Sequence, residues 1–221
     1  MKTTYGIVFI MLLNCYPLFA MQIVTPDDEI KALLLEKLPE NHYIEILKSR
    51  ESFRFSGVHT AYFKNVRIYE CQYSNIGLAR QNFVVAISGV TESVHILTQD
   101  IDALNKIYKI CDIQIRNELD AKFVAREAFD LTRPFHEKFI LLQSEDDLKR
   151  WIMPECIKNY KSKVQKFIMK KGNNAYIGNA LIVIGRDVIE RTVKVDENGF
   201  SFNDRILGFK EAIYFDPHES P

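Results

Sequence analysis

VQKFIMKKGNNAYIGNALIVIGRDVIERTVKVDENGFSFNDRIL, residues 164–207, is the stretch whose reading decides the fold class. Three polar breaks cut it: Lys171-Gly172-Asn173-Asn174, Gly185-Arg186-Asp187 and Asp196-Glu197-Asn198. Between them lie four runs rich in β-branched and aromatic residues, Val164 to Lys170, Ala175 to Ile184, Val188 to Val195 and Gly199 to Leu207, which predict four strands. Connections this short join antiparallel neighbours. In the third run Ile189, Arg191, Val193 and Val195 share one side and Glu190, Thr192 and Lys194 the other, so one sheet face is covered and the other is wetter.

The cover is expected just upstream. Asp112 to Thr132 carries Ile115, Leu119, Phe123, Val124, Ala128 and Leu131 at helical spacing, and Pro134 stops it. Phe135 to Leu142 reads as a strand or a hydrophobic loop. Ser144-Glu145-Asp146-Asp147 then opens a short helix by capping-box logic, with Leu148, Trp151 and Ile152 on its inner face. Further upstream, Thr98 is the expected cap of a helix presenting Ile101, Leu104, Ile107 and Tyr108.

A second meander is predicted before it. Val66 to Tyr73 alternates, Asn82 to Ser88 and Ser93 to Thr98 are β-branched, and Gly89-Val90-Thr91-Glu92 connects the last two. Thr25-Pro26-Asp27-Asp28 starts a first helix carrying Ile30, Leu33, Leu34 and Leu38, closed by Pro39. Helix followed by antiparallel meander thus occurs twice, without residue-level repetition. The class is α+β, helices packed on antiparallel meander sheets. Two units are expected, residues 21–110 with a helix and meander and residues 111–221 with helices and a four-stranded meander, with one continuous domain as the alternative.

The order of elements in the second half resembles the cystatin-like and nuclear-transport-factor-like folds, and more loosely small exported domains that inhibit peptidases. That resemblance implies a helix cradled by a sheet. The Gln-x-Val-x-Gly loop of cystatins is matched at Gln22-Ile23-Val24 only, because Pro26 stands at the glycine position and the segment precedes the first helix.

The amino terminus reads as an export signal over residues 1–20. Lys2 is followed by an apolar run from Gly6 to Leu13, too short for a spanning helix of about 20 residues, and a cut after Ala20 leaves a chain starting at Met21. Leu12-Leu13-Asn14-Cys15 resembles a lipoprotein box, with Asn14 where that box carries a small residue, so lipid anchoring through Cys15 is the alternative. The expected location is periplasmic or secreted, envelope-anchored if acylated.

Lysine plus arginine and aspartate plus glutamate both number 29, and loss of Lys2 leaves 28 against 29. Neither balance suggests a nucleic-acid partner, which needs clustered cations. The basic run Lys158 to Lys171 reads as a solvated helix face and strand edge. No segment beyond residue 20 is apolar enough to span a bilayer. Beyond Cys15, Cys71, Cys111 and Cys156 are widely spaced; a disulfide framework is not indicated, and Cys111 follows Leu104 and Tyr108 at core spacing.

Searches for chemistry return no Gly-rich phosphate loop, metalloprotease His pair, serine elbow or Cys-x-x-Cys. His42, His59, His95, His136 and His218 are isolated, and neighbouring His136 and Glu137 point to opposite faces of an extended chain. Asp100 and Asp102, Glu118 and Asp120, and Glu145 to Asp147 are paired carboxylates, explained more simply as acidic helix starts. Phe53-Arg54-Phe55, Phe200-Ser201-Phe202 and Phe209 suit a sheet core. No catalytic residue, metal or cofactor is assigned. The expectation is an exported non-catalytic binding protein of unknown partner, a protein, peptide or envelope component, the alternatives being a motif-less hydrolase or isomerase, or the envelope protein anchored through Cys15.

Overall fold

Period-two patterning becomes two antiparallel sheets in the computed structural model, which describes residues 26–49, 53–73, 81–134 and 139–208. The α+β class is observed. The first sheet is a meander in sequential order, β1 (Arg54–Val58), β2 (Arg67–Tyr73), β3 (Gln81–Ser88) and β4 (Ser93–Ile96). β3 is buried on both faces. Phe83 and Val85 turn to a cluster with Leu34 of α1 (Pro26–Lys37) and Ile44 and Leu47 of α2 (His42–Ser49). Val84 and Ala86 turn the other way, to the largest apolar cluster among the described residues.

That cluster is built on α3 (Ile101–Ile110) and α4 (Glu118–Leu131), which lie between the two sheets. Ile68, Val84 and Ala86 reach it from the first sheet; Ile182, Ile189, Val193 and Val195 reach it from the second. Ala121, Ala125 and Ala128 are fully buried on α4. Small side chains let the helix axis approach its neighbours closely, and Phe129 fills the remaining space against Phe139, Phe167 and Phe202 at centroid distances of 5.4–5.8 Å.

The second sheet runs β5 (Phe139–Leu142), β7 (Tyr176–Ile184), β8 (Asp187–Asp196) and β9 (Gly199–Gly208), with β6 (Met169–Lys171) sharing β7's edge with β5. Its inner face matches the expectation that Arg191 lies on the covered side. Outside, α5 (Glu145–Trp151) and α6 (Ile157–Tyr160) cover Leu142, Leu181, Val183 and Val188. Gly178 is required where β6 crosses β7: a Cβ there would lie 2.6 Å from the Ile168 carbonyl oxygen. The layers are therefore helix, sheet, helix, sheet, helix.

Several expectations are corrected. The second sheet is five-stranded, because Phe139–Leu142 is a strand pairing with Leu181–Ile184, and the first predicted strand shrinks to Met169–Lys171. α4 begins at Glu118 under an Asn117 cap, and its Leu119 and Phe123 are exposed at 58% and 45%, outside the buried stripe. Asp100, not Thr98, caps α3, accepting from the Ala103 amide, while Thr98 Oγ1 accepts from the Val84 amide 2.8 Å away. Thr98 is captured by the sheet, which leaves the next suitable acceptor to start the helix. The helices α2 and α6 were not anticipated; at eight and four residues each is too short for a helical period to stand out.

Candidate functional site

At the end of the second sheet away from α5 and α6, three turns and a helix end enclose a cleft of ≈ 360 Å³. Tyr108 and Lys109 from the last turn of α3 form one wall. The segment 112–115 follows, and the β6–β7 hairpin tip and the β8–β9 turn complete the rim. Each wall has a local cause. Asp112 adopts φ 47°, turning the chain sharply after α3, and its carboxylate accepts from the Gln114 side-chain amide at 3.0 Å. The Gly172 amide donates to the Ala175 carbonyl at 2.7 Å, closing the hairpin and leaving Asn173 and Asn174 exposed at its tip.

The β8–β9 turn is held from both sides. Tyr108 donates its hydroxyl to the Asp196 carbonyl at 3.2 Å, and burial raises the phenol above its ordinary value. The Asp196 carboxyl is held below its ordinary value, first by its hydrogen bond to Lys194 and further by the Asn198 amide. Asn105 grips the strand beyond. Its amide donates to the Phe200 carbonyl at 3.0 Å and its oxygen accepts from the Phe200 amide at 2.7 Å. Gly199, at φ +119°, must be glycine here, since a Cβ would run into Asn105.

The cleft therefore offers side-chain amides (Gln114, Asn173, Asn174), two exposed lysines (Lys109, Lys171), three acidic side chains (Asp112, Asp196, Glu197) and the tyrosines Tyr108 and Tyr176. Groups of this kind can hydrogen-bond to polar or amide-bearing ligands and pair with charged ones. Across the 112–114 segment lies a second cleft of ≈ 370 Å³ containing Tyr62, Arg116 and Asp120. A third, ≈ 400 Å³, opens between α4 and β5, where Phe129, Phe139 and Trp151 meet Arg126, Asp130 and Gln143.

The residues singled out in sequence do not converge. Asp100 caps α3, Asp120 accepts from the Arg116 amide, Glu118 accepts from the Lys171 amide, and Asp147 closes the α5 capping box with Ser144. The paired carboxylates are helix-start groups. His42 and His59 are exposed; His95 is half-buried, sharing a hydrogen bond with Ser93 Oγ, and burial lowers its pKa. His136, Glu137 and His218 lie outside the described residues, as do residues 1–20 with Cys15, the Gln22-Ile23-Val24 match and Phe209.

Cys71, Cys111 and Cys156 are free and belong to three different regions of the core. Burial pushes the Cys71 and Cys111 thiols up, which disfavours thiolate chemistry at either. Among the described residues no group of three or more His, Cys, Asp or Glu side chains could hold a metal ion, and no helix is long and apolar enough to cross a membrane. The basic run is spread out: Lys161 pairs with Glu145, Lys163 with Glu190, and Lys171 lies on the edge of β6. Sequence reasoning missed the cleft, whose walls come from segments up to about ninety positions apart; only the Asn-Asn tip and the Asp-Glu-Asn turn were visible, as loops.

No family model, no curated protein and no solved structure matches the chain. The cystatin-like and nuclear-transport-factor-like resemblance accordingly gains no support.

Proposed function

We propose that this chain is an exported, non-catalytic binding protein that takes a short polar segment of a protein or peptide partner in the cleft beside the end of α3. The observation that carries the reading is the composition of the cleft wall: amide side chains and turn backbone, with Lys109 and Lys171, the acidic Asp112, Asp196 and Glu197, and two tyrosines. Amide groups donate and accept, as a peptide does, and tyrosine supplies apolar area with a polar tip. A volume of ≈ 360 Å³ sits near the lower end of ligand-pocket sizes, which suits a short segment rather than a large cofactor.

A peptide library displayed on phage and selected against the purified chain tests it. Enriched peptides should bind the parent and lose at least about tenfold in affinity to Gln114→Ala combined with Lys171→Glu. Peptides that bind the cleft variant equally well overturn the assignment. Export is tested separately by fusing residues 1–20 to a phosphatase active only outside the cytoplasm; a silent fusion overturns that part. The mass of the exported chain distinguishes cleavage after Ala20 from acylation at Cys15.

One observation favours an enzyme as the second reading. Asp130, on the rim of the third cleft, has its carboxyl raised by burial against the opposing pull of Arg126 and Arg133, the direction expected of a general acid. The residue is also exposed, so water limits the effect. Turnover of ester, amide or isomerisable substrates that disappears in Asp130→Asn with binding retained would favour the enzyme.

A further inference from the structure

Among the described residues the outer edge of β9 has no strand partner, and we infer that this edge pairs with its own copy in an antiparallel, two-fold dimer. The argument begins with Asn105. Because its side chain takes both the amide and the carbonyl of Phe200, those groups point away from β8, and Phe200 faces Val195 as a non-hydrogen-bonded pair. The register continues without interruption through Phe202↔Val193, Asp204↔Arg191 and Ile206↔Ile189. Backbone alternation then directs the amides and carbonyls of Phe202, Asp204 and Ile206 outward as well.

Among the described residues nothing takes those groups. Natural sheets guard such edges with short strands, proline, lysine or bulges. Here Asn105 at Phe200 and a register irregularity between Val188 and Ile189, opposite Ile206 and Gly208, guard the two ends, and the inward-pointing charge between them, Asp204, is neutralised by Arg191. Between them residues 203–206 are all exposed, and Ile206, on the inner face, is 53% exposed.

The strand is complementary to itself in one register. With Asp204 on the two-fold axis, Phe202 meets the second copy's Ile206 on the inner face and Asn203 meets the second copy's Arg205 on the outer face. The apolar pair covers Ile206. The two central carboxylates are each already neutralised by their own Arg191, through two bonds of 2.7 Å. Sliding by one register step toward Arg205 places the two Arg205 side chains against each other, and sliding the other way sets Phe202 against Asp204. Outward pairs exchange about six main-chain hydrogen bonds in the favoured register. So short a contact is smaller than a standard interface of about 1,200 Å², and association should depend on concentration.

Analytical ultracentrifugation of the purified chain across a wide concentration range tests the proposal, with two variants. Ile206→Pro removes an outward amide while leaving the ladder to β8 intact, since proline is accepted where the N–H faces solvent. Asn203→Cys and Arg205→Cys, mixed as separate proteins under mild oxidation, place cysteines on a pair with Cα atoms about 4.5 Å apart, within disulfide reach. The expected results are a mass that doubles with concentration, its loss in Ile206→Pro with the thermal transition retained, and cross-linked dimer in the mixture well above either variant alone. A chain that stays monomeric, or a dimer that Ile206→Pro leaves unchanged, overturns it; a dimer lost in Ile206→Pro without the cross-link overturns the register.

Discussion

The two sheets solve the same problem to different extents. Each has a central strand buried on both faces, β3 in the first and β7 in the second, and each shares the α3–α4 layer. The first sheet's other face lies under α1 and α2, where Leu34, Ile44 and Leu47 meet Phe55, Tyr73, Phe83 and Val85. The second sheet's outer face is covered only at one end, because α5 and α6 are short. Asn179, Lys194, Ser201 and Asn203 remain exposed at the other. The ≈ 360 Å³ cleft and the β9 edge, unpaired among the described residues, both belong to this under-covered sheet. Surface available for recognition arises where the helical cover runs out.

The largest expected effect tests whether the shared layer couples the sheets. Phe129→Ala should cost about 4 kcal/mol, as a fully buried phenylalanine touching aromatic rings from three strands or loops. Calorimetry should show one transition moved to lower temperature. Two separated transitions would mean that the sheets are energetically independent.

Next in size is the ionic pair inside the second sheet. Arg191 is 9% exposed, gripped by Asp204 and stacked 4.7 Å from the Phe202 ring centroid. Arg191→Met should cost about 2 kcal/mol in urea unfolding, below the usual penalty for breaking a buried pair because Asp204 retains 35% exposure. A loss under about 0.5 kcal/mol would make the pair a surface one.

Ser144→Ala removes the cap of α5, the sheet's partial cover, and should cost about 1 kcal/mol. Hydrogen exchange should quicken over Glu145–Trp151 with little change in α1 and α2; a uniform increase would deny the local character of that cover.

The smallest effect concerns the turn at the cleft. The Asp196 carboxyl is depressed in the folded state, so its contribution is present above the ordinary value of 3.8 and is lost as pH falls through the lower folded value. Asp196→Asn should flatten the acid limb of stability measured below pH 4, with a change at neutral pH under about 1 kcal/mol. An unchanged acid limb would remove Asp196 from the account of the turn.

Much of the fold was legible in residue patterns because it depends on local or period-two rules. The alternation Ile189, Arg191, Val193, Val195 put a charged residue on a covered face, and the structure explains it by the carboxylate of Asp204 in the adjoining strand. Ser144-Glu145-Asp146-Asp147 made the helix start it announced. Other positions were decided by competition. Thr98 has the chemistry of a cap, but the Val84 amide on a neighbouring strand claims its hydroxyl. Leu119 and Phe123 fit an apolar stripe by spacing, yet α4 turns its alanines inward together with Val124, Phe129 and Leu131. The candidate cleft was hardly legible at all, since its walls are turns whose sequences declare only that the chain bends.

By itself, then, the sequence determined the α+β class, most strand and helix positions and the inward face of β8, because hydrophobic periodicity and capping act over a few residues. Only the tertiary structure decided that two helices lie between two sheets, that Phe139–Leu142 completes the second, and that a cleft opens at the end of that sheet beside α3. Those outcomes rest on contacts between distant segments, whose packing no local pattern encodes.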